Sequence, residues 1–289
     1  MARRPIDLRQ KIKDILTHVE PLPREAATPL RHYRRSGIDT WNLLDYIERN
    51  FGRLALQKSV LERHLTRLNA MLLVSLSENF ERFLKEIAAA CVDHLAHFVL
   101  DDRFNEFKVQ GSALAVHFGT ETLGKSLCES SIWLDCGEIN DRFRKLLADP
   151  FVPGTFYLFP KSGQQPALEQ WRYETLSIVW QIRHSVVHNV GVITQSDAIK
   201  LRLLTKQPVE SPRTLAPTRD DLRYLKRFLD ETAELCNRRV GERLAELLTT
   251  IHATDPGLFD PGTVANEISL TFGIALTVAG VLGAVPPPV

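Results

Sequence analysis

Between residues 61 and 98 the apolar side chains fall at helical spacing: Leu61, Leu65, Leu68, Leu72, Leu76, Phe80, Phe83, Ile87, Cys91, Leu95 and Phe98 recur every three or four positions. No glycine or proline interrupts the run, so the pattern predicts one long amphipathic helix. A second helix is predicted over about 168–188. A third covers 218–251, where Thr218 and the acids after it form an N-cap. Residues 101–168 instead carry turn signals at Gly111, Gly124, Gly137, Pro150, Pro153, Gly154 and Pro160, with one short helix near 140–148, and read as an irregular insertion. Runs of clear two-residue alternation are lacking. The pattern therefore predicts an all-α fold, a bundle of long helices with an irregular middle insertion. Three segments follow: an N-terminal helical arm and loop at 1–50, a helical domain at 51–252 containing the insertion at about 101–168, and an apolar C-terminal segment at 253–289.

Composition narrows this picture only a little. Of 289 residues, 44% are hydrophobic, enough for a buried core. The net charge is +1, so a nucleic-acid partner would have to be held by local patches and not by a global basic field. One such patch is Arg3, Arg4, Arg9, Lys11, Lys13, Arg31, Arg34 and Arg35 in the arm, which reads either as a phosphate track or, more commonly for such runs, as solvated surface. Cys91, Cys128, Cys136 and Cys236 form no CxxC pair, which argues against a zinc ribbon and a disulfide framework. The opening stretch is amphipathic and has no apolar signal-type core, so a cytoplasmic location is expected. Residues 268–285 are uncharged for 18 positions, the lower edge of a bilayer span. They include three glycines and lack flanking Lys or Arg, so packing on the domain or on a partner is the expectation and a tail anchor the other reading.

Chemistry concentrates in the stretch 181–191, QIRHSVVHNVG. At 100° per residue, Glu174, Ser177, Gln181, His184, Ser185 and His188 form a polar stripe, while Arg183 lies near the middle of the apolar arc. A guanidinium does not lose its proton, so a buried Arg183 demands a carboxylate, an interface or an anion. Glu81 on the first long helix is the favoured partner, with Glu78 further round towards solvent. Asn189 and Gly191 end the helix, which puts His188 in the last turn, where the helix dipole favours an imidazolium by about 0.3–1 kcal/mol. A zinc site on His184 and His188 lacks the glutamate of HExxH, since Ser185 follows His184, and has no evident third ligand. No metal and no cofactor are expected.

Arg183-His184-Ser185-Val186-Val187-His188 resembles the RxxxxH signature of HEPN domains, a family of helical bundles found in RNA-cleaving toxins and antiviral effectors. In that family a polar residue follows the Arg, as His184 does here, and the motif ends a helix. The stretches FERFLKE (80–86) and NDRFRKLL (140–147) are similar to HEPN segments, and the resemblance spans about 58–250. Of nine histidines only His188 has an Arg four to six residues upstream. The resemblance implies a HEPN-like bundle and a metal-independent endoribonuclease of toxin or antiviral-defence type. In it a 2′-hydroxyl attacks the adjacent phosphorus and leaves a 2′,3′-cyclic phosphate. His188 would move the proton, Arg183 would neutralise the transition state, His184 and Asn189 would orient phosphate and histidine, and Glu81 would orient Arg183. The implied partners are RNA, a second copy of the chain and an antitoxin or regulatory protein. Val190 stands where paired toxins carry a Tyr, so regulation by modifying that Tyr is not expected. The other reading is a catalytically inactive HEPN-like module that binds protein or nucleotide. One tension accompanies the first reading: on an ideal helix Arg183 and His188 point about 140° apart. Either the last turn unwinds or a second subunit completes the site.

Overall fold

The apolar stripe of the first long helix is the spine of the molecule: Phe80, Phe83, Leu84, Ile87, Cys91 and Leu95 are all fully buried. A computed structural model of the chain describes residues 13, 28–51, 58–96, 98, 122–129, 133–148, 155–161, 170–278 and 281–283. Their order is α1 (Pro29–Phe51), α2 (Lys58–Leu95), α3 (Leu123–Glu129), α4 (Cys136–Leu147), α5 (Gln170–His188), β1 (Val192–Ile193), α6 (Gln195–Thr205), β2 (Arg213–Thr214), α7 (Arg219–Thr254), α8 (Pro261–Phe272), β3 (Thr277–Val278) and β4 (Val281–Leu282). The protein is all-α apart from two short antiparallel pairs, β1 with β2 and β3 with β4.

Against the α2 spine packs α7, which presents Leu229, Ala233, Cys236, Val240, Leu244 and Leu248 at three- and four-residue intervals. Each large apolar side chain so buried contributes about 1.5–3 kcal/mol relative to exposure. The start of α7 is fixed by a capping box in which Thr218 and Asp221 exchange side-chain-to-backbone hydrogen bonds. The long helices predicted from apolar spacing are present within a few residues of their expected ends.

Two expectations need correction. The stretch read as an irregular insertion contributes to the core where it is described: α3 and α4 pack on α2, and Trp133, Ile139 and Phe143 are fully buried. Its turn signals misled because Gly124 serves a close helix approach, not a turn. A Cβ there would stand 2.0 Å from the Ala89 carbonyl oxygen, and the Gly124 N–H donates to Asp93 at 2.7 Å. The arm helix α1 is not separate. Tyr33 enters the main core and donates to Asp230 at 3.0 Å, and Arg219 on α7 pairs with both Asp45 and Glu48. Of the basic arm residues, Arg34 pairs with Glu234, and those before residue 28 other than Lys13 lie outside the described residues.

The C-terminal apolar run divides into α8, a left-handed cap at Gly273 and the β3–β4 hairpin, with Ile268, Phe272, Leu276 and Val278 buried on α7 and its neighbours. Packing, the expected reading, holds for its described part. No helix among the described residues is long and apolar enough to cross a membrane.

What positions the motif is the junction after α5. Val190 and Gly191 take positive φ values of 54° and 81°, which reverse the chain, and the Asn189 and Gly191 N–H groups both donate to the Ser185 carbonyl at 3.1 Å. The buried carboxylate of Asp197, in the first turn of α6, gathers the ends. Its Oδ1 accepts from Gln181 Nε2 at 2.9 Å, and its Oδ2 accepts from Asn189 Nδ2 at 2.8 Å and from the Thr194 hydroxyl at 2.9 Å. Burial pushes this carboxyl up, but the hydrogen bonds from Thr194, Asn189 and Ser185 outweigh it and hold the group below the usual carboxylate range.

Replacing Asp197 by Ala strands these donors and should lower stability at neutral pH by about 1–3 kcal/mol, read by urea denaturation. Because the folded carboxyl is depressed, its contribution is complete above the ordinary Asp value of about 3.9 and is lost as pH falls through the folded value. The gap between wild type and Asp197→Ala should therefore be flat from pH 7 to 5 and close in strong acid. A gap independent of pH would contradict this.

Candidate functional site

On α5, Tyr173, Ser177, Trp180, Gln181, His184 and His188 form a single stripe, and this stripe floors a groove of about 550 Å³. One wall is the N-terminal turn of α4 with Leu134, Asp135 and Cys136. The other is α6, which contributes Lys200, Leu203 and Leu204. The groove lies within the size range of ligand sites and combines aromatic walls with a few converging polar groups.

Both histidines are exposed, and their rings lie 4.6 Å apart with planes inclined by 45°. Their i, i+4 spacing on one helix face produces this pairing, as the sequence predicts. Arg183 also lines the groove. The helix stays α-helical through His188, so the angular tension is not relieved by unwinding. Arg183 nonetheless lines the same groove as the two histidines.

Arg183 is largely buried, with 15% of its side chain exposed. Its Nη2 donates to Glu78 Oε1 at 3.2 Å, while its buried Nε has no hydrogen-bond partner. The expectation of a carboxylate partner on the first long helix holds, but the residue is Glu78 and not Glu81. Glu81 is taken by Lys85 at 3.0 Å one turn along the same helix. The physical reason is competition: Lys85 holds Glu81, which leaves the half-exposed Glu78 to the guanidinium.

Asn189 requires a second correction. Its amide is bound to Asp197 and it does not line the groove, so it supports the helix end and faces no substrate. Ser185, placed on the polar stripe by the wheel, is buried and back-bonds to the Gln181 carbonyl at 3.2 Å. Val190 holds the left-handed conformation that disfavours β-branched residues, so the backbone directly after the motif is strained.

Several groove residues escaped the sequence reading. Lys200 and Leu203 sit on α6, which that reading did not predict; its one legible signal was Thr194 followed three residues on by Asp197, a capping-box spacing. Trp180 was assigned to the apolar arc. It does back onto Phe80 of α2, with ring centroids 6.1 Å apart, yet it also lines the groove, while its Nε1 is enclosed without a hydrogen-bond partner. Cys136 lies beneath it, with burial pushing the thiol up to about 12, which keeps it an unreactive thiol.

The polar groups along this groove are therefore two imidazoles, a guanidinium and an ammonium, with one carboxylate, Asp135, at the α4 end beside the Lys161 ammonium. Such a set can bind an anion and move protons at it. Among the described residues no group of three or more His, Cys, Asp or Glu is placed to hold a metal ion. No family model, no curated protein and no solved structure matches the chain.

Proposed function

We propose that the chain is an endoribonuclease of HEPN type, acting in toxin or antiviral defence and cutting RNA by attack of a 2′-hydroxyl on the adjacent phosphorus. The observation that carries this reading is the convergence of Arg183, His184 and His188 on one groove rim, beside Lys200. The resemblance of 183–188 to the RxxxxH signature adds to it.

In the proposed step the O2′–P bond forms as the P–O5′ bond breaks. One imidazole takes the 2′-hydroxyl proton, and an imidazolium returns a proton to the departing O5′. Arg183 neutralises charge on the non-bridging oxygens, and Lys200 extends the cationic rim. Glu78 takes the positioning role that the sequence assigned to Glu81. A 2′-deoxy strand lacks the nucleophile and would not be cut. Because the histidines and Arg183 supply all the proton and charge movements, the reaction should proceed in EDTA.

A second copy of the chain would close the groove from above. Leu203 stands exposed on its wall, and Ile199, one turn back on α6, and Val187, beside His188 on α5, are exposed as well. An apolar rim beside a charged cleft suits a two-fold pairing in which each protomer covers the other's motif. In defence systems of this type an antitoxin or regulatory protein would restrain the activity.

Purified protein should cleave single-stranded RNA in EDTA to cyclic-phosphate ends. His188→Ala and Arg183→Ala should each lower the rate by roughly 10²- to 10⁴-fold without changing the helical circular dichroism. Equal cleavage by wild type and both variants would sink the assignment. A folded dimer with no ribonuclease activity would favour an interaction module instead.

Glu78→Ala should slow cleavage by roughly two- to fivefold, the scale of a half-exposed ion pair, while Glu81→Ala leaves it within error. The reverse order would restore the role first given to Glu81. For the pairing, Leu203→Glu should shift the light-scattering mass from dimer to monomer; a wild-type mass of one chain would remove the two-fold model.

A further inference from the structure

Gln181 belongs both to the floor of the groove and to the Asp197 junction behind it. Its Nε2 donates to Asp197 Oδ1 at 2.9 Å. A carboxylate accepts and does not donate, so the amide cannot be turned round without setting two oxygens against each other. The orientation of this side chain is therefore fixed from behind, before any ligand is present.

What the junction leaves over is the acceptor. The backbone carbonyl of Gln181 is engaged by the Ser185 hydroxyl at 3.2 Å, but the side-chain Oε1 has no hydrogen-bond partner among the described residues. With the donor side of the amide held by Asp197, the carbonyl is left to the groove that the residue lines. Its chemistry complements its neighbours: Arg183 and Lys200 can donate but cannot accept. Gln181 supplies a neutral acceptor one turn before the histidines, on the same stripe of α5.

Resting on the ribonuclease reading, we propose that Gln181 Oε1 accepts a hydrogen bond from the 2′-hydroxyl of a nucleotide next to the attacking one. The groove then recognises RNA at a second sugar besides the nucleophile. Position favours a sugar over a base. Gln181 lies about 4.5 Å before His184 and about 10.5 Å before His188 along the helix axis. A phosphate held by the histidines and Arg183 brings its flanking sugars to that distance, whereas the N–H donors of a base lie at the far edge from the backbone. Charge favours an amide over a carboxylate here, because a neutral carbonyl accepts the hydroxyl without placing a negative charge beside the scissile phosphate. The 2′-hydroxyl is also the group by which a protein tells RNA from DNA at a given site.

Single-stranded RNAs of one sequence, each carrying a single 2′-deoxy sugar near a mapped cut, test the subsite. Deoxy at the attacking sugar removes the nucleophile and abolishes the cut in any variant. In the wild type one neighbouring position should matter as well, lowering kcat/KM by roughly three- to tenfold, the scale of a neutral hydrogen bond. Gln181→Met keeps an unbranched side chain of similar length and removes the amide, and in it that neighbouring penalty should vanish. Each penalty is a ratio measured on one protein, so any loss of folded material through the weakened Asp197 junction cancels from it. No penalty at any neighbouring sugar, or the same penalty in both proteins, overturns the subsite and leaves the ribonuclease reading standing.

Where the all-ribose strand is not cut, binding decides. Fluorescence anisotropy on the full chain, with all-ribose and all-deoxy strands of one sequence, gives the ratio of their affinities. A ribose preference of the wild type that Gln181→Met loses, without cleavage, keeps the hydroxyl acceptor and ends the ribonuclease reading. A preference that Gln181→Met retains, or none at all, ends both.

Discussion

A single buried carboxylate, Asp197, sets the geometry on which the groove depends. α5 must end immediately after His188, and α6 must return alongside it within a few residues if Lys200 and Leu203 are to face the two histidines. Left-handed backbone at Val190 and Gly191 makes the reversal, but a strained turn does not by itself fix the register of the returning helix. Asp197 does, because it accepts simultaneously from Gln181 and Asn189 on the α5 side and from Thr194 at the cap of its own helix. Removing any one donor leaves the others to hold the junction. Removing the acceptor releases all of them, which makes this residue the keystone of the groove wall although it touches no substrate.

Arg183 shows how a costly placement is only partly compensated within the chain. A cation whose side chain is mostly buried needs compensation, and Glu78 supplies only part of it, from a half-exposed position where screening by water is substantial. The unpartnered Nε shows that the guanidinium is not saturated within the chain. The Trp180 Nε1 is in the same position, enclosed without a hydrogen-bond partner, so both residues carry a desolvation cost that the fold itself must offset.

The sequence exposed those features that periodicity encodes. Apolar spacing located α2, α5 and α7 because each buries one continuous face, and the i, i+4 histidines on a shared face followed from the same geometry. It failed where a residue's meaning depends on a neighbour distant in the chain. Gly124 looks like a turn residue until Ala89 is known to lie against it. Trp180 looks like core until the wall formed by 134–136 is brought beside it. Glu78 and Glu81 differ by less than one helical turn, and a wheel ranks them by angle alone. The choice between them was made by Lys85, which occupies Glu81. Asn189 was legible as a helix terminator but not as a ligand of Asp197, because α6 buries Ala198 and Leu201 while Ile199 and Leu203 stand exposed, so its apolar positions trace no single face.

These placements constrain how any substrate can lie. α5 runs without interruption from Tyr173 to His188, so the distance between the carboxylate end and the histidine end is fixed by helix rise and cannot adapt. The opposite wall is held along its length as well: Ala198 and Leu201 of α6 are buried, and Arg202 donates from Nε and Nη2 to the Val209 carbonyl at 2.9 and 2.7 Å. Lys200 and Leu203 are exposed on this wall, so the width of the groove at its histidine end is set by packing on both sides.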